Sequence, residues 1–150
     1  MSMTQPSSCL HEDAKKTMEL AHAGQTRWDG RPYSVHPEKV VQILKQFGVR
    51  DEEILSAGYL HDVIEDTKVS LDELEGAYGS RVAHLVQELT FKDSKDDDNL
   101  YSQQCMNLSK TAKLIKIADI LANITDDGKK SDHFIRKRIN GLKMLLGDDS

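Results

Sequence analysis

Apolar residues recur along most of this chain at intervals of three and four, the period that lines one face of an α-helix, while alternating strand patterns bounded by turn residues are essentially absent. The expected fold is all-α. A first helix is predicted from about Cys9 to Gln25, with Ala14, Met18 and Ala21 on its inner face, ending before the punctuated stretch Asp29-Gly30-Arg31-Pro32. Pro37 suits the first turn of a second helix and places His36 at its N-cap; Val40, Val41, Leu44 and Phe47 then face inward and Gly48 stops it. A third helix starts near Asp51 and runs on through His61-Asp62-Val63-Ile64-Glu65-Asp66. Ser70-Leu71-Asp72-Glu73 has capping-box spacing for a short fourth helix closed by Gly79.

Val82, Leu85, Val86 and Leu89 mark a fifth helix, and Lys92 to Asn99 after it is too polar to bury. Asp96-Asp97-Asp98 reads as a solvated loop, because a calcium loop needs a longer ligand pattern and a suitably placed Gly. A sixth helix is expected from about Gln103 to Ile124, apolar on nearly every side in its later half and so running through the core. A last helix, from about Asp132 to Leu146, presents Phe134, Ile135, Ile139, Leu142 and Leu145 and shuts the bundle. At 150 residues the expectation is one domain, 1–150, with no second domain, internal repeat or linker.

Charge and composition narrow the partners. Twenty Lys and Arg against 25 Asp and Glu leave a net charge of −5, so no overall basic field attracts a nucleic-acid backbone. Polymeric DNA or RNA is not expected as a partner, whereas a small anionic ligand remains compatible with a local metal and a few cations. The two cysteines, Cys9 and Cys105, lack metal-type spacing, and no N-terminal apolar run marks a secretory signal, so the cytoplasm is expected. No stretch approaches the roughly 20 apolar residues that span a bilayer, and no membrane partner is expected. Oligomeric state is not legible.

Chemistry concentrates in His61-Asp62 and Glu65-Asp66. On a helix these groups fan over one sector, and three sheltered carboxylates there would be costly to keep ionised without a cation. Asp119 lies inside the most apolar stretch and needs a partner: either Lys116 three residues before it, or a metal held by His61 and Asp62. His36, fixed by Pro37, completes a set of two imidazoles and two carboxylates with coordination positions left open. Such mixed nitrogen and oxygen donors suit Mn, Fe, Co or Zn.

From His22 to about Asn123 the chain resembles the HD-domain family, and within it the alarmone hydrolases: the hydrolase domain of Rel/Spo enzymes and the small stand-alone alarmone hydrolases. The matching stretches are His22 to Arg27, Gly30 to Pro37, the HDVIEDT run His61 to Thr67, Tyr78-Gly79 with Arg81-Val82, and Lys116 to Asn123. The resemblance implies that His36, His61, Asp62 and Asp119 hold Mn²⁺, or another first-row divalent ion. It further implies that Glu65 and Asp66 handle the attacking water, that Arg27 clamps the guanine nucleotide and that Asn123 contacts its sugar or 3′ side. Arg27, Lys113 and Lys116 are candidates for offsetting phosphate charge; the stretch after Asn123, with Asp126, Arg136 and Arg138, matches too loosely for roles to be carried over, though either arginine could reach a phosphate. Family members remove the 3′-pyrophosphate of guanosine tetra- or pentaphosphate. This chain carries Ile120 and Ala122 where the family run often has Arg and His, which bears on substrate orientation more than on the metal. Rival readings are an HD phosphohydrolase of another nucleotide, such as a nucleoside monophosphate or the 2′-phosphate of NADPH, and a non-catalytic alarmone sensor.

Overall fold

The computed structural model describes residues 9–92, 94, 96–126 and 130–147. Among these there are nine helices and no strand; one isolated antiparallel bridge joins Thr26 and Pro32. The helices are α1 (Leu10–Ala21), α2 (Val35–Gln46), α3 (Glu52–Leu60), α4 (Val63–Asp66), α5 (Leu71–Tyr78), α6 (Ser80–Leu89), α7 (Asp98–Met106), α8 (Lys110–Thr125) and α9 (Asp132–Leu145).

Helix starts follow local chemistry. Asp51, Ser70, Asp97, Ser109 and Ser131 each accept a backbone N–H of the first turn, and Ser70 with Glu73 forms the expected capping box. Asp97 is solvent-exposed as expected and also caps α7, and half-buried Asp98 pairs with His133 at 2.9 Å. The expected N-cap at His36 moves two residues earlier: Ser34 is the flanking residue, so His36 lies in the first turn of α2 beside buried Pro37.

Two continuous helices of the sequence reading are broken. The third ends at Leu60, because Asp62 leaves the helical region at φ −104°, ψ 2° and Val63 begins a separate turn. The sixth is two helices parted at Asn107-Leu108-Ser109, where the Ser109 hydroxyl caps α8 and displaces the backbone bond that would have carried the helix on. The first helix ends at Ala21, earlier than Gln25, since Gly24 takes φ +84° and the chain turns into the Arg27 loop. Phe47, expected inside, is 48% exposed past the end of α2, and Ile135 sits on the outer face of α9. Within Lys92–Asn99, Ser94 is buried and its carbonyl accepts from Lys137 Nζ at 2.8 Å; Asp93 and Lys95 lie outside the described residues.

The core gathers Met18, Val40, Leu44, Leu60, Val63, Val82, Val86, Ile115 and Ile120, all fully buried. It brings α2 against α3 and α8, which fixes the distance between the three segments that carry His36, His61 and Asp119. Gly58 is the residue that permits the α2–α3 approach: a Cβ there would meet Leu44 Cδ1 at 3.0 Å and Val41 Cγ2 at 3.2 Å. Replacement Gly58→Ala should cost about 1–3 kcal/mol of stability in urea unfolding through overpacking. An unchanged midpoint would mean that the interface has slack.

Candidate metal centre and cleft

His61 sits at the C-terminal end of α3 with its ring turned back on its own helix. Its Nδ1 lies 2.8 Å from the Gly58 carbonyl, which can only accept, so Nδ1 carries the hydrogen and Nε2 points inward. That Nε2 is buried and has no hydrogen-bond partner, while Asp62 Oδ2 lies 3.1 Å away and Asp119 Oδ1 3.3 Å away. A bare imidazole lone pair against two carboxylates is repulsive; a proton or a cation between them turns the contact favourable.

His36 Nε2 reaches the same Asp119 Oδ1 at 2.8 Å, and the two imidazole rings meet edge-on at 5.3 Å. Ligand atoms of His36, His61 and Asp62 all fall within 4.8 Å of one another. The other oxygen of Asp119 accepts from Lys116 Nζ at 2.9 Å, and Asn123 Nδ2 donates to Oδ1 at 3.3 Å. Of the two partners weighed for Asp119 from sequence, Lys116 is in place on one oxygen, and the other oxygen faces the two imidazoles that would share a metal with it.

Charge states follow from these contacts. Burial opposes ionisation of Asp119, but Lys116 and the two imidazoles outweigh it and hold the carboxyl well below the usual range. Burial likewise opposes ionisation of Asp62, and His61 overcomes it, keeping that carboxyl depressed. Burial disfavours a charged His61 ring, yet Asp62 and Asp119 raise its pKa well above the imidazole value. The Tyr33 hydroxyl donates a short hydrogen bond to Asp62 Oδ2. No role fell to Tyr33 from sequence; its position three residues before His36, whose backbone N–H donates to the Tyr33 carbonyl at 3.0 Å, is the signal that could have found it.

Above this floor opens a cleft of about 840 Å³. Glu65 and Asp66 stand exposed on its rim, carried by α4; desolvation first, then Asp62 and Asp66, push the Glu65 carboxyl up. Arg27 lines the cleft from the loop before α2, where the turn closed by Arg27 N–H to Arg31 O (2.8 Å) presents it. Its guanidinium donates to Asn123 Oδ1 at 3.2 Å and lies 3.3 Å from Asp126. Another wall of the cleft is made by Lys92, His133, Lys137 and Arg138 together with Phe91, Tyr101 and Phe134. Arg138 lies over the Phe134 ring at 3.7 Å. Sequence reading transferred none of this wall. Lys113 does not line the cleft, and Ile120 and Ala122 are buried, Ile120 in the apolar core and Ala122 on a small cavity behind His36.

The sequence model of the HD domain matches residues 14–127. The chain belongs to the HD-domain family. It is 41% identical over 113 residues to human guanosine-3′,5′-bis(diphosphate) 3′-pyrophosphohydrolase MESH1, a match covering 70% of this chain and 62% of that one. It is 38% identical over 113 residues to the bifunctional (p)ppGpp synthase/hydrolase SpoT of Escherichia coli, covering 69% of this chain and 16% of the other. The chain thus spans less than two thirds of either relative. A solved structure described as a metazoan ortholog of SpoT that hydrolyzes ppGpp superposes with a TM-score of 0.79 at 28% identity, over 97% of this chain and 88% of that one. As an HD domain the chain is a divalent-metal binder, and the inward Nε2 of His61 among ionised carboxylates is where such an ion fits.

Metal affinity should depend on pH with a definite sign. Below its raised pKa the His61 ring holds a proton that the ion must displace, so affinity is full above that pKa and falls by up to about tenfold per pH unit below it. Calorimetric titration in buffers of different ionisation heat reads both the affinity and the proton released. A flat affinity across the acid range would remove His61 from the ligand set.

Proposed function

We propose that this protein hydrolyses the 3′-pyrophosphate of guanosine tetra- or pentaphosphate, giving GDP or GTP and pyrophosphate, with Mn²⁺ as its ion. The observation that carries the reading is the convergence of His36, His61, Asp62 and Asp119 beneath a cleft rimmed by Glu65 and Asp66. The similarity to named 3′-pyrophosphohydrolases gives it the substrate. When bound, the ion supplies Lewis acidity, lowering the pKa of a water and polarising a phosphoryl oxygen.

The chain's own groups then divide the remaining tasks. Lys116 and Asn123 hold Asp119 in one orientation, and Tyr33 does the same for Asp62, so the donors are set before an ion or substrate arrives. Glu65, whose carboxyl is pushed up by desolvation and by Asp62 and Asp66, is suited to accept and return a proton, while Asp66 beside it orients the nucleophilic water. Arg27, already held by Asn123 and Asp126, clamps the nucleotide at low entropic cost. The basic wall, with Lys92 and Arg138, supplies countercharge to the phosphates that the acidic floor repels. A sensor without turnover would have no use for the Glu65 and Asp66 pair. The free thiols Cys9 and Cys105 suit a reducing compartment, and we place the protein in the cytoplasm.

Incubation with guanosine tetraphosphate and Mn²⁺ should release GDP and pyrophosphate in equal amounts, and a chelator should stop it. Release of phosphate from NADPH or a nucleoside monophosphate, with no pyrophosphate from the alarmone, would move the assignment to another HD phosphohydrolase. Glu65→Gln should lower kcat roughly 10²- to 10⁴-fold with metal retained. Asp62→Ala should lose metal and turnover together, and a fully active Asp62→Ala protein would refute the site.

A further inference from the structure

Where the start of α1 meets the start of α3, away from the cleft, Cys9, His11 and Glu52 come together. The cysteine and glutamate are distant in the chain, yet a ligand atom from each of the three residues lies within 4.8 Å of the other two. Glu52 is not needed to cap its own helix, since Asp51 does that through Oδ1. Its carboxylate reaches across to α1 instead: Oε1 lies 2.7 Å from His11 Nδ1 and accepts the His11 backbone N–H at 3.2 Å. The ring is oriented further by lying parallel to Tyr59. A side chain so fixed, beside an exposed thiol, is a formed set of donors rather than a chance meeting of mobile groups.

We propose that Cys9, His11 and Glu52 form a second divalent-cation site, softer than the one in the cleft and suited to Zn²⁺. Thiolate, imidazole and carboxylate are a zinc donor set, and three protein ligands leave a fourth tetrahedral position to water. The same three residue types also make a nucleophile triad, but the electrostatics oppose that use. Glu52 first, then burial, then Glu12 push the thiol up, which disfavours the thiolate that such a nucleophile needs. A cation reverses that field. As the sulfur–metal bond forms, the thiol gives its proton to solvent, and the Glu52 carboxylate that accepts from His11 turns to the ion. Zn²⁺ and Co²⁺ suit both donor sets, so it is contact with sulfur, present only here, that separates the two sites, while Mg²⁺ does not populate this one. The bound ion ties α1 to α3 at the end of α3 opposite His61, and it stands independently of which nucleotide the cleft accepts.

Thiol modification of the native protein tests this directly, because Cys9 is exposed and Cys105 buried. Zn²⁺ in excess over both sites should slow the reaction of Cys9 with a colorimetric disulfide reagent at least tenfold, Mg²⁺ should not, and His11→Ala should remove the protection. Co²⁺ should give a thiolate charge-transfer band that is absent in Cys9→Ser and present in Asp62→Ala, with Cys9→Ser retaining basal hydrolysis. Unchanged modification rates at excess Zn²⁺, or a cobalt band that survives Cys9→Ser, would overturn the site and leave an ordinary ion pair joining two helix starts.

Discussion

An ionised carboxylate in the middle of an apolar helix is the constraint around which this molecule is arranged. Asp119 sits on α8 between fully buried Ala118 and Ile120, where an unpaired charge would cost several kcal/mol. The structure places a partner at each oxygen: the Lys116 ammonium on one, two imidazole nitrogens on the other. Lys116 in turn is buried, and its ammonium is accommodated by the faces of Phe91 and Tyr101 at 4.4 and 5.2 Å. Each group in this chain of contacts is tolerable inside the protein only because the next is present.

That arrangement requires α2, α3 and α8 to approach closely and to stay at fixed separations. Apolar packing does most of this, with Leu44, Leu60, Val63 and Ile115 filling the space between them. Gly58 serves twice, leaving room for Val41 and Leu44 and offering its carbonyl to His61 Nδ1. The ring is thereby aimed by the same residue that sets the helix spacing.

Much of the fold was legible because helical periodicity survives in nearly every segment, and Ser70, Gly79 and Asp51 mark their helix ends with ordinary capping chemistry. What periodicity could not show were the two interruptions. His61-Asp62 keeps a helical residue pattern while its backbone departs from it, and Ser109 caps a new helix inside a run that reads as continuous. At the site, residue types and spacing picked out His36, His61, Asp62 and Asp119, and the structure brings them together from three segments. Tyr33, Lys92 and Lys137 escaped, because their relevance lies in tertiary placement and carries no local period. Ile120 and Ala122, departures from the resemblance, turn out to face the interior, where apolar side chains are the natural occupants.

The two sides of the cleft are drawn from different stretches of chain. The donors come from residues 33 to 123, whereas much of the basic wall comes from α9, a helix whose outer surface is exposed and whose buried contacts are few: Lys137, Gly141 and Leu145. Variation confined to that one helix would remodel what the pocket admits and leave the ion-binding floor intact. Preference among ligands is thus free to drift along a lineage while the chemistry beneath it stays put.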